Sequence, residues 1–492
     1  MTSLQAAVDD RPREECGVCA VVGHDDAATL CYLGLYAQQH RGQETAGIVS
    51  ARLGDHGGIQ HRVHRGLGLV PDVFDQQTLA DLGGRVCIGH VRYSTTGAPN
   101  PQNTQPIAAS LRFGPVAVAH NGNLTNAHLL RASLKSQGAI FGTTIDTEVI
   151  VHLISHVMTA TFEEAMHEAL QSIEGAFSLV ILHNDTMYAV RDAHGFRPLE
   201  LGRLPNGGWM VASETVAFDL VDAKPVRSIA PGEILRIRPG AEPETLKPLP
   251  ARERAQCIFE YVYFSRPDSV IDGVAVQAVR RRMGEELFRE HPAEADAVIC
   301  VPDSAMSPAL GYAHAGSLPF VMGLVRNHYV GRTFIEPTQR IRDFGAKVKY
   351  NATRSAVAGK RLVVVDDSIV RGTTAQKIVR MLRDAGATEI HFRIASPPWR
   401  HSCLYGIDTP DPRTFAATGR DVEQIRAHLE VDSLGYLSPD GLKRAVGRQE
   451  GWCMACFTGR YPTSERRLTK EMLEDQDLSF GPLPKQFTSI GS

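Results

Sequence analysis

The sequence predicts two joined domains, an α+β domain of layered sheets and helices followed by an α/β domain built on a parallel sheet. Three observations carry this. Residues 16–245 hold short alternating apolar segments punctuated by Gly and Asn, among them "CGVCAVVG", "TAGIVSARL", "PVAVAHNGNL" and "AFSLVILHND". Their period of two belongs to antiparallel strands. Two stretches with apolar residues three and four apart interrupt them, "DAATLCYLGLYAQQHRG" and "TEVIVHLISHVM", and read as helices that cover the sheets. Farther on, strands alternate with helices: "DAVICVPDS", "FVMGLVRN", "RLVVVDDSIV", a helix, then "EIHFRIASPP". That order implies a parallel sheet with crossover helices.

The boundary falls where composition changes, in the Pro- and charge-rich stretch near residues 230–252. This gives a leader at 1–15, a first domain at 16–245, a second at 246–400 and a tail at 401–492. The tail shows little periodicity and contains "GWCMACFTG".

Composition narrows the classes of function. A chain of 492 residues exceeds one ordinary domain. A net charge of -3 argues against bulk attraction to nucleic acid or membrane, and no run reaches the length of a membrane span. The first fifteen residues, "MTSLQAAVDDRPREE", lack the basic start and apolar core of a secretory signal, so they read as a removable polar leader on a cytoplasmic protein. Nine cysteines, an odd number, argue against a disulfide framework. Cys31, Cys87 and Cys300 sit in apolar stretches and read as small buried hydrophobes.

The strongest local signal is "RLVVVDDSIVRGTTAQKIVRMLRDAGA" (361–387). A buried strand runs into Asp366 and Asp367, and a turn with Arg371, Gly372, Thr373 and Thr374 opens a helix. Free N–H groups and the positive dipole end at such a helix start favour a phosphate. Paired carboxylates at the strand's carboxyl end suit ribose hydroxyls or a hydrated Mg²⁺. The stretch resembles the phosphoribosyl pyrophosphate signature of type I phosphoribosyltransferases. The resemblance implies that the aspartates contact the ribose and "RGTT" cradles the 5'-phosphate.

"CGVCAVVG" is joined by "QQHRGQETAGI" (38–48), "GHVRYSTTG" (89–97), "HNGNLTN" (120–126) and "IDTEVI" (145–150). Together these resemble the N-terminal-nucleophile glutaminase domain of glutamine amidotransferases, a layered αββα fold. The resemblance implies that residues 1–15 are a propeptide and that Cys16 becomes the mature N-terminus. A freed α-amine has a pKa of roughly 7.7–8.0 and can take the thiol proton without a catalytic histidine. By resemblance, the Asn121 side chain and the Gly122 N–H form the oxyanion hole, Arg92 pairs with the glutamine α-carboxylate, and Asp146 binds its α-amine. Cys19 is then a core residue, since 16 and 19 point to opposite faces of a strand.

Cys257, Cys403, Cys453 and Cys456 remain. Their spacing admits a structural zinc site or an iron–sulfur cluster equally. The segments "CIFEYVYFSRPDS", "VPDS", "GRTFIEPTQ", "KVKYN" and "VVVDDSIVRGTT" follow the glutaminase-like domain in this order. The whole chain resembles the amidophosphoribosyltransferase family, which opens de novo purine synthesis. One branch of that family carries a propeptide and a 4Fe–4S cluster on four cysteines at corresponding places, and this chain has both features. The resemblance further implies glutamine and phosphoribosyl pyrophosphate as substrates, ammonia channelled between sites, and Mg²⁺ on Asp366, Asp367 and Ser304. It implies a pyrophosphate-covering loop with Arg332, Arg340, Lys347 and Lys349, purine nucleotide inhibitors and a homotetramer. One departure is Ala305, where the family usually has Gly after "VPDS". Glucosamine-6-phosphate synthase shares the first domain but lacks the Asp-Asp-Ser-Ile-Val-Arg-Gly-Thr-Thr stretch. A DNA-binding regulator of the phosphoribosyltransferase fold would need a helix-turn-helix or basic patch, and neither is found.

Overall fold

The structure, a computed structural model, describes residues 16–54, 57–93, 100–327 and 350–463. The strand Gly17–Val22 is buried along its whole length. It lies between Val86–Arg92 and Trp209–Ala212 in an antiparallel sheet of seven strands. Strand alternation sends its side chains to two different cores. Val18, Ala20 and Val22 meet Ala117, Ala119, Val180 and Leu182 of a second, six-stranded sheet. Cys19 and Val21 face the helix Ala27–Ala37, where they pack with Cys31 and Leu35. That helix seats closely because Gly34 and Gly89 lack side chains: a Cβ at Gly34 would lie 2.7 Å from the Cys19 sulfur, and one at Gly89 would lie 2.7 Å from the Cys31 sulfur. Cys19 is therefore a core residue, as its strand position predicts.

The second sheet includes Gly114–Leu124, Gly175–His183 and Thr186–Arg191, and ends at Glu244–Thr245. Its outer face carries Val116, Val118, Leu179 and Ile181. These pack beneath the helices Thr147–His156 and Phe162–Ser172. The order helix, sheet, sheet, helix is the expected αββα arrangement. Phe162–Ser172 opens with a capping box, Thr161 with Glu164, a start signal written in the residues themselves.

The second domain is a sheet of four parallel strands in the order Ala297–Cys300, Arg361–Asp366, Glu389–Ile394, Ser433–Tyr436. Helices Val276–Glu290 and Met306–Ala315 cover one face. Thr373–Asp384 and Val422–Leu429 cover the other. The fourth strand corrects the expected end of this domain at residue 400. Residues 401–492 do not form a separate tail throughout, because Ser433–Tyr436 extends the sheet. Pro439–Val446 also buries Leu442, Ala445 and Val446 against the helix Val276–Glu290. An edge strand of four residues, "SLGY", is too short to show a period in sequence.

Candidate active site

Cys16 stands at the head of the strand Gly17–Val22, and Arg92 ends the neighbouring strand, where Val91 pairs with Gly17. The two residues thus lie at the same end of two adjacent interior strands. Asn121 comes from the other sheet. Ser213 joins the two: its Oγ accepts the Val18 N–H at 3.0 Å and an Asn121 Nδ2 hydrogen at 3.3 Å. The second Nδ2 hydrogen of Asn121 is not used by that bond. Arg41 donates from Nε to the Cys16 carbonyl at 3.3 Å. Ser213 and Arg41 are hydrogen-bonding neighbours of these residues whose contacts the sequence motifs do not reveal.

Gly122 follows with φ +143°, and a Cβ there would sit 2.0 Å from the Ala176 carbonyl oxygen, so only glycine lets this backbone take its place. The Asp146 carboxylate accepts the Leu124 N–H at 2.9 Å and lies 3.5 Å from His120 Nδ1. Burial alone would raise the Asp146 pKa, but His120 and the backbone donors hold it below the ordinary carboxylate range. It is thus ionised and able to face a cation. Arg92 is 5% exposed, and its Nη1 has no hydrogen-bond partner among the described residues. A buried guanidinium nitrogen left unmatched is costly unless a ligand meets it.

Behind Arg41 lies a buried charge network reaching into the second domain. Glu214 accepts from His40 and Arg41, and also from the Arg266 N–H and Ser269 Oγ. Glu260 accepts from Arg41, Arg197 and Ser265. Burial opposes its charge, yet the two arginines hold its pKa down at about 2. Glu260 stands inside the apolar run "CIFEYVYF", where a lone carboxylate is itself the sequence mark of a buried ion pair.

The second cluster gathers at the carboxyl ends of adjacent parallel strands, where α/β sheets bind ligands. Asp366 ends its strand and Asp367 follows, 5% and 1% exposed. Ser304, from the loop after the neighbouring strand, bonds Asp367 Oδ1, and Ser368 Oγ donates to Oδ2 at 2.6 Å. "VPDS" and "VVVDDS", about sixty residues apart, therefore meet. Ala305 has φ −87°, a conformation that requires no glycine, so its departure from the family pattern leaves the backbone undisturbed. Gly372 takes φ +87° and opens the helix Thr373–Asp384, with Thr373 and Thr374 in its first turn. Arg371 precedes this turn. Arg280, 3% exposed, sits nearby; burial lowers its pKa to about 10, and Asp367 is the foremost charge opposing that. Arg332, Arg340, Lys347 and Lys349 lie outside the described residues, as does the leader 1–15.

The four remaining cysteines converge. Gln256–Cys257 pairs in parallel with Trp452–Cys453, placing Cys257 opposite Cys453. The Cys456 carbonyl accepts the Arg400 and His401 N–H groups, and the Cys403 sulfur accepts the Tyr405 N–H. Burial pushes the Cys453 thiol up to about 12. Cys456 is pushed well up by burial and then by Cys257, Cys453 and Cys403, which marks all four as electrostatic neighbours. Among the described residues no group of three or more His, Cys, Asp or Glu side chains is arranged around a single ion-sized point.

Comparison with known proteins agrees with this two-site geometry. A glutamine amidotransferase domain model matches residues 90–219, and a phosphoribosyl transferase domain model matches 272–397. Amidophosphoribosyltransferase 1, chloroplastic, of Arabidopsis thaliana is 50% identical over 459 residues, 92% of this chain and 80% of that protein. The chain belongs to the amidophosphoribosyltransferase family. The Bacillus subtilis (strain 168) amidophosphoribosyltransferase is 45% identical over 92% of this chain and 94% of that one. A solved structure described as the allosteric regulatory enzyme of purine biosynthesis superposes with a TM-score of 0.88 at 43% identity, covering 94% of this chain and 99% of the other. A second, the B. subtilis glutamine phosphoribosylpyrophosphate amidotransferase complexed with ADP and GMP, gives 0.86 at 44% identity, covering 91% and 98%. As a family member the chain is an amidophosphoribosyltransferase enzyme, making 5-phosphoribosylamine from phosphoribosyl pyrophosphate and glutamine, the first step of purine biosynthesis.

Proposed function

We propose that Cys16, freed at its amine by removal of residues 1–15, is the nucleophile of the glutamine half-reaction. The supporting observation is that Ser213 Oγ bonds both Asn121 and the Val18 N–H, which ties Asn121 of one sheet to the strand of the other sheet that Cys16 heads. The thiol adds to the glutamine side-chain carbonyl, and its proton passes to the α-amine. The developing oxyanion is met by the spare Asn121 Nδ2 hydrogen and the Gly122 N–H. Ammonia leaves, water releases glutamate, and ammonia displaces pyrophosphate from C1 of phosphoribosyl pyrophosphate. Arg92 takes the glutamine carboxylate and Asp146 its ammonium group.

In the second site, Asp366, Asp367 and the Arg371–Thr374 turn hold the ribose phosphate, and Arg332, Lys347 and Lys349 act on the pyrophosphate. Oxygen donors from Asp366, Asp367 and Ser304 suit Mg²⁺, which would neutralise charge on the departing diphosphate. Cys257, Cys403, Cys453 and Cys456 suit a 4Fe–4S cluster, which would tie the last cysteine pair to the second domain. Such a cluster would be held by four thiolates, one to each iron, so its ligands need not surround a single point. Purine nucleotides acting as inhibitors, a homotetrameric assembly and a cytoplasmic location complete the proposal. In its support, one relative's solved structure holds ADP and GMP, and among the described residues no helix is long and apolar enough to cross a membrane. The intact mass of the active enzyme tests the central assignment: the chain should begin at Cys16. Full glutamine-dependent activity with residues 1–15 still attached would contradict it.

A further inference from the structure

The oxyanion strand is supported from behind by a segment of the distant second half of the chain. Gly406, with φ +113°, lies flat against Gly122: a Cβ at 406 would stand 3.2 Å from the Gly122 carbonyl carbon and 3.3 Å from its Cα and oxygen. Beside it, Asn123 Nδ2 donates to the Leu404 carbonyl at 2.9 Å. Between these contacts, the Tyr405 carbonyl accepts from Arg197 Nη2 at 2.6 Å and Nε at 3.1 Å. Arg197 also reaches Glu260, Glu260 binds Arg41, and Arg41 holds the Cys16 carbonyl. The Tyr405 ring stacks on Phe196 with centroids 4.1 Å apart, which fixes the segment sideways. Three consecutive residues thus touch both the backbone that would bind the oxyanion and the network that ends at the nucleophile's carbonyl.

We propose that residues 404–406 are a positioning element of the glutamine site. They set the Gly122 N–H at the height at which it meets the tetrahedral oxyanion. The proposal rests on the assignment of Asn121 and Gly122 as the oxyanion hole. An N–H that must meet a developing charge tolerates little displacement, and an error of about 1 Å costs on the order of 100-fold in rate. A side chain at 406 would press on Gly122 while leaving the phosphoribosyl site untouched. Loss of the Asn123–Leu404 bond would free the same backbone from the opposite side.

The test uses the full-length processed enzyme. Gly406→Ala should lower kcat with glutamine by roughly 10- to 100-fold and change glutamine KM far less, because Arg92 lies on another strand and Asp146, which accepts the Leu124 N–H, is also held beside His120. Ammonia-dependent synthesis should match the parent. Alkylation of Cys16 by iodoacetamide should also proceed at the parent rate, since displacement at a saturated carbon develops no oxyanion. Asn123→Ala should show the same partition, and the double variant should fall no further than the worse single, as two changes to one backbone placement are not additive. Parent-level glutamine turnover in Gly406→Ala, or equal loss of both activities in folded protein, overturns the proposal. If Gly406→Ala does not fold, Asn123→Ala decides alone, and parent-level glutamine turnover in that variant overturns it. Asn121→Ala separates the underlying assignment: unchanged glutamine turnover there would reject the oxyanion hole itself, whatever residue 406 does.

Discussion

At the scale of single residues, Arg92 makes the sharpest statement. Its buried Nη1 meets no hydrogen-bond partner among the described residues, and it ends the strand beside Cys16. A charge-assisted hydrogen bond contributes about 1.5–3 kcal/mol, and each 1.4 kcal/mol is about tenfold in binding. Arg92→Ala should therefore raise glutamine KM by about 10- to 100-fold and leave ammonia-dependent synthesis intact, as steady-state kinetics with each nitrogen source would show. Cys16, Arg92, Asn121, Gly122 and Asp146 are all legible in the sequence, because each stands in a short motif with its own pattern. Ser213 is not. It meets Val18 across 195 residues and Asn121 across 92, and a lone serine at a strand end has no local signature. Arg41 lies inside a quoted motif, but nothing in "QQHRGQ" says that its guanidinium turns toward the Cys16 carbonyl and two buried glutamates.

At the scale of elements, long amphipathic and alternating segments are legible in the residues and short ones are not. The strand Gly17–Val22 is seen as an unbroken apolar run and the helix Thr147–His156 by its three- and four-residue spacing. Ser433–Tyr436 carries neither signal, so residues beyond 400 read as a tail although they complete a sheet. The contact between the domains is equally hidden. There the Glu200 carboxylate accepts from Ser228 Oγ at 2.7 Å and from the Asp272 N–H at 3.3 Å, while Asp272 pairs with Arg191 and Arg254. Burial, reinforced by the Asp272 charge, pushes Glu200 up to about 7. Between its unfolded pKa of about 4.3 and about 7, the folded chain keeps a proton that the unfolded chain has released, so stability falls as pH rises through that window. The loss is on the order of 3 kcal/mol at pH 7.5 relative to pH 4.5. Glu200→Gln should flatten this part of the pH dependence, measured as the difference in urea midpoint between the two pH values. An unchanged slope would show that Glu200 ionises freely in the folded protein. The cysteine pair near the C-terminus makes a separate prediction. With Cys257 set opposite Cys453, a cluster held there ties the 452–456 segment to the second domain, and ligand binding energy becomes folding energy. Cys453→Ser should give colourless, iron-poor protein with a lowered melting temperature; a colourless parent with stoichiometric zinc and full activity would establish the zinc alternative.

At the scale of the whole molecule, two chemical sites share one chain and are joined by buried charge. Cys16 stands at the end of a central strand of an antiparallel sheet and Asp367 beyond a strand of a parallel one. Arg41, Glu260 and Ser265 link their surroundings, and Arg280 donates to the Ser265 carbonyl at 2.7 Å while its charge senses Asp367. If the sites are separate, each can be removed alone. Asp367→Ala should abolish synthesis from either nitrogen source, because the proposed phosphoribosyl site loses a carboxylate. The most direct measurement of the two-site claim is the rate of phosphoribosylamine formation by Cys16→Ser enzyme with glutamine and, separately, with ammonia. Two separate sites predict no measurable synthesis with glutamine and parent-level synthesis with ammonia. Loss of both activities in folded Cys16→Ser protein, or glutamine-dependent synthesis at the parent rate, would contradict it.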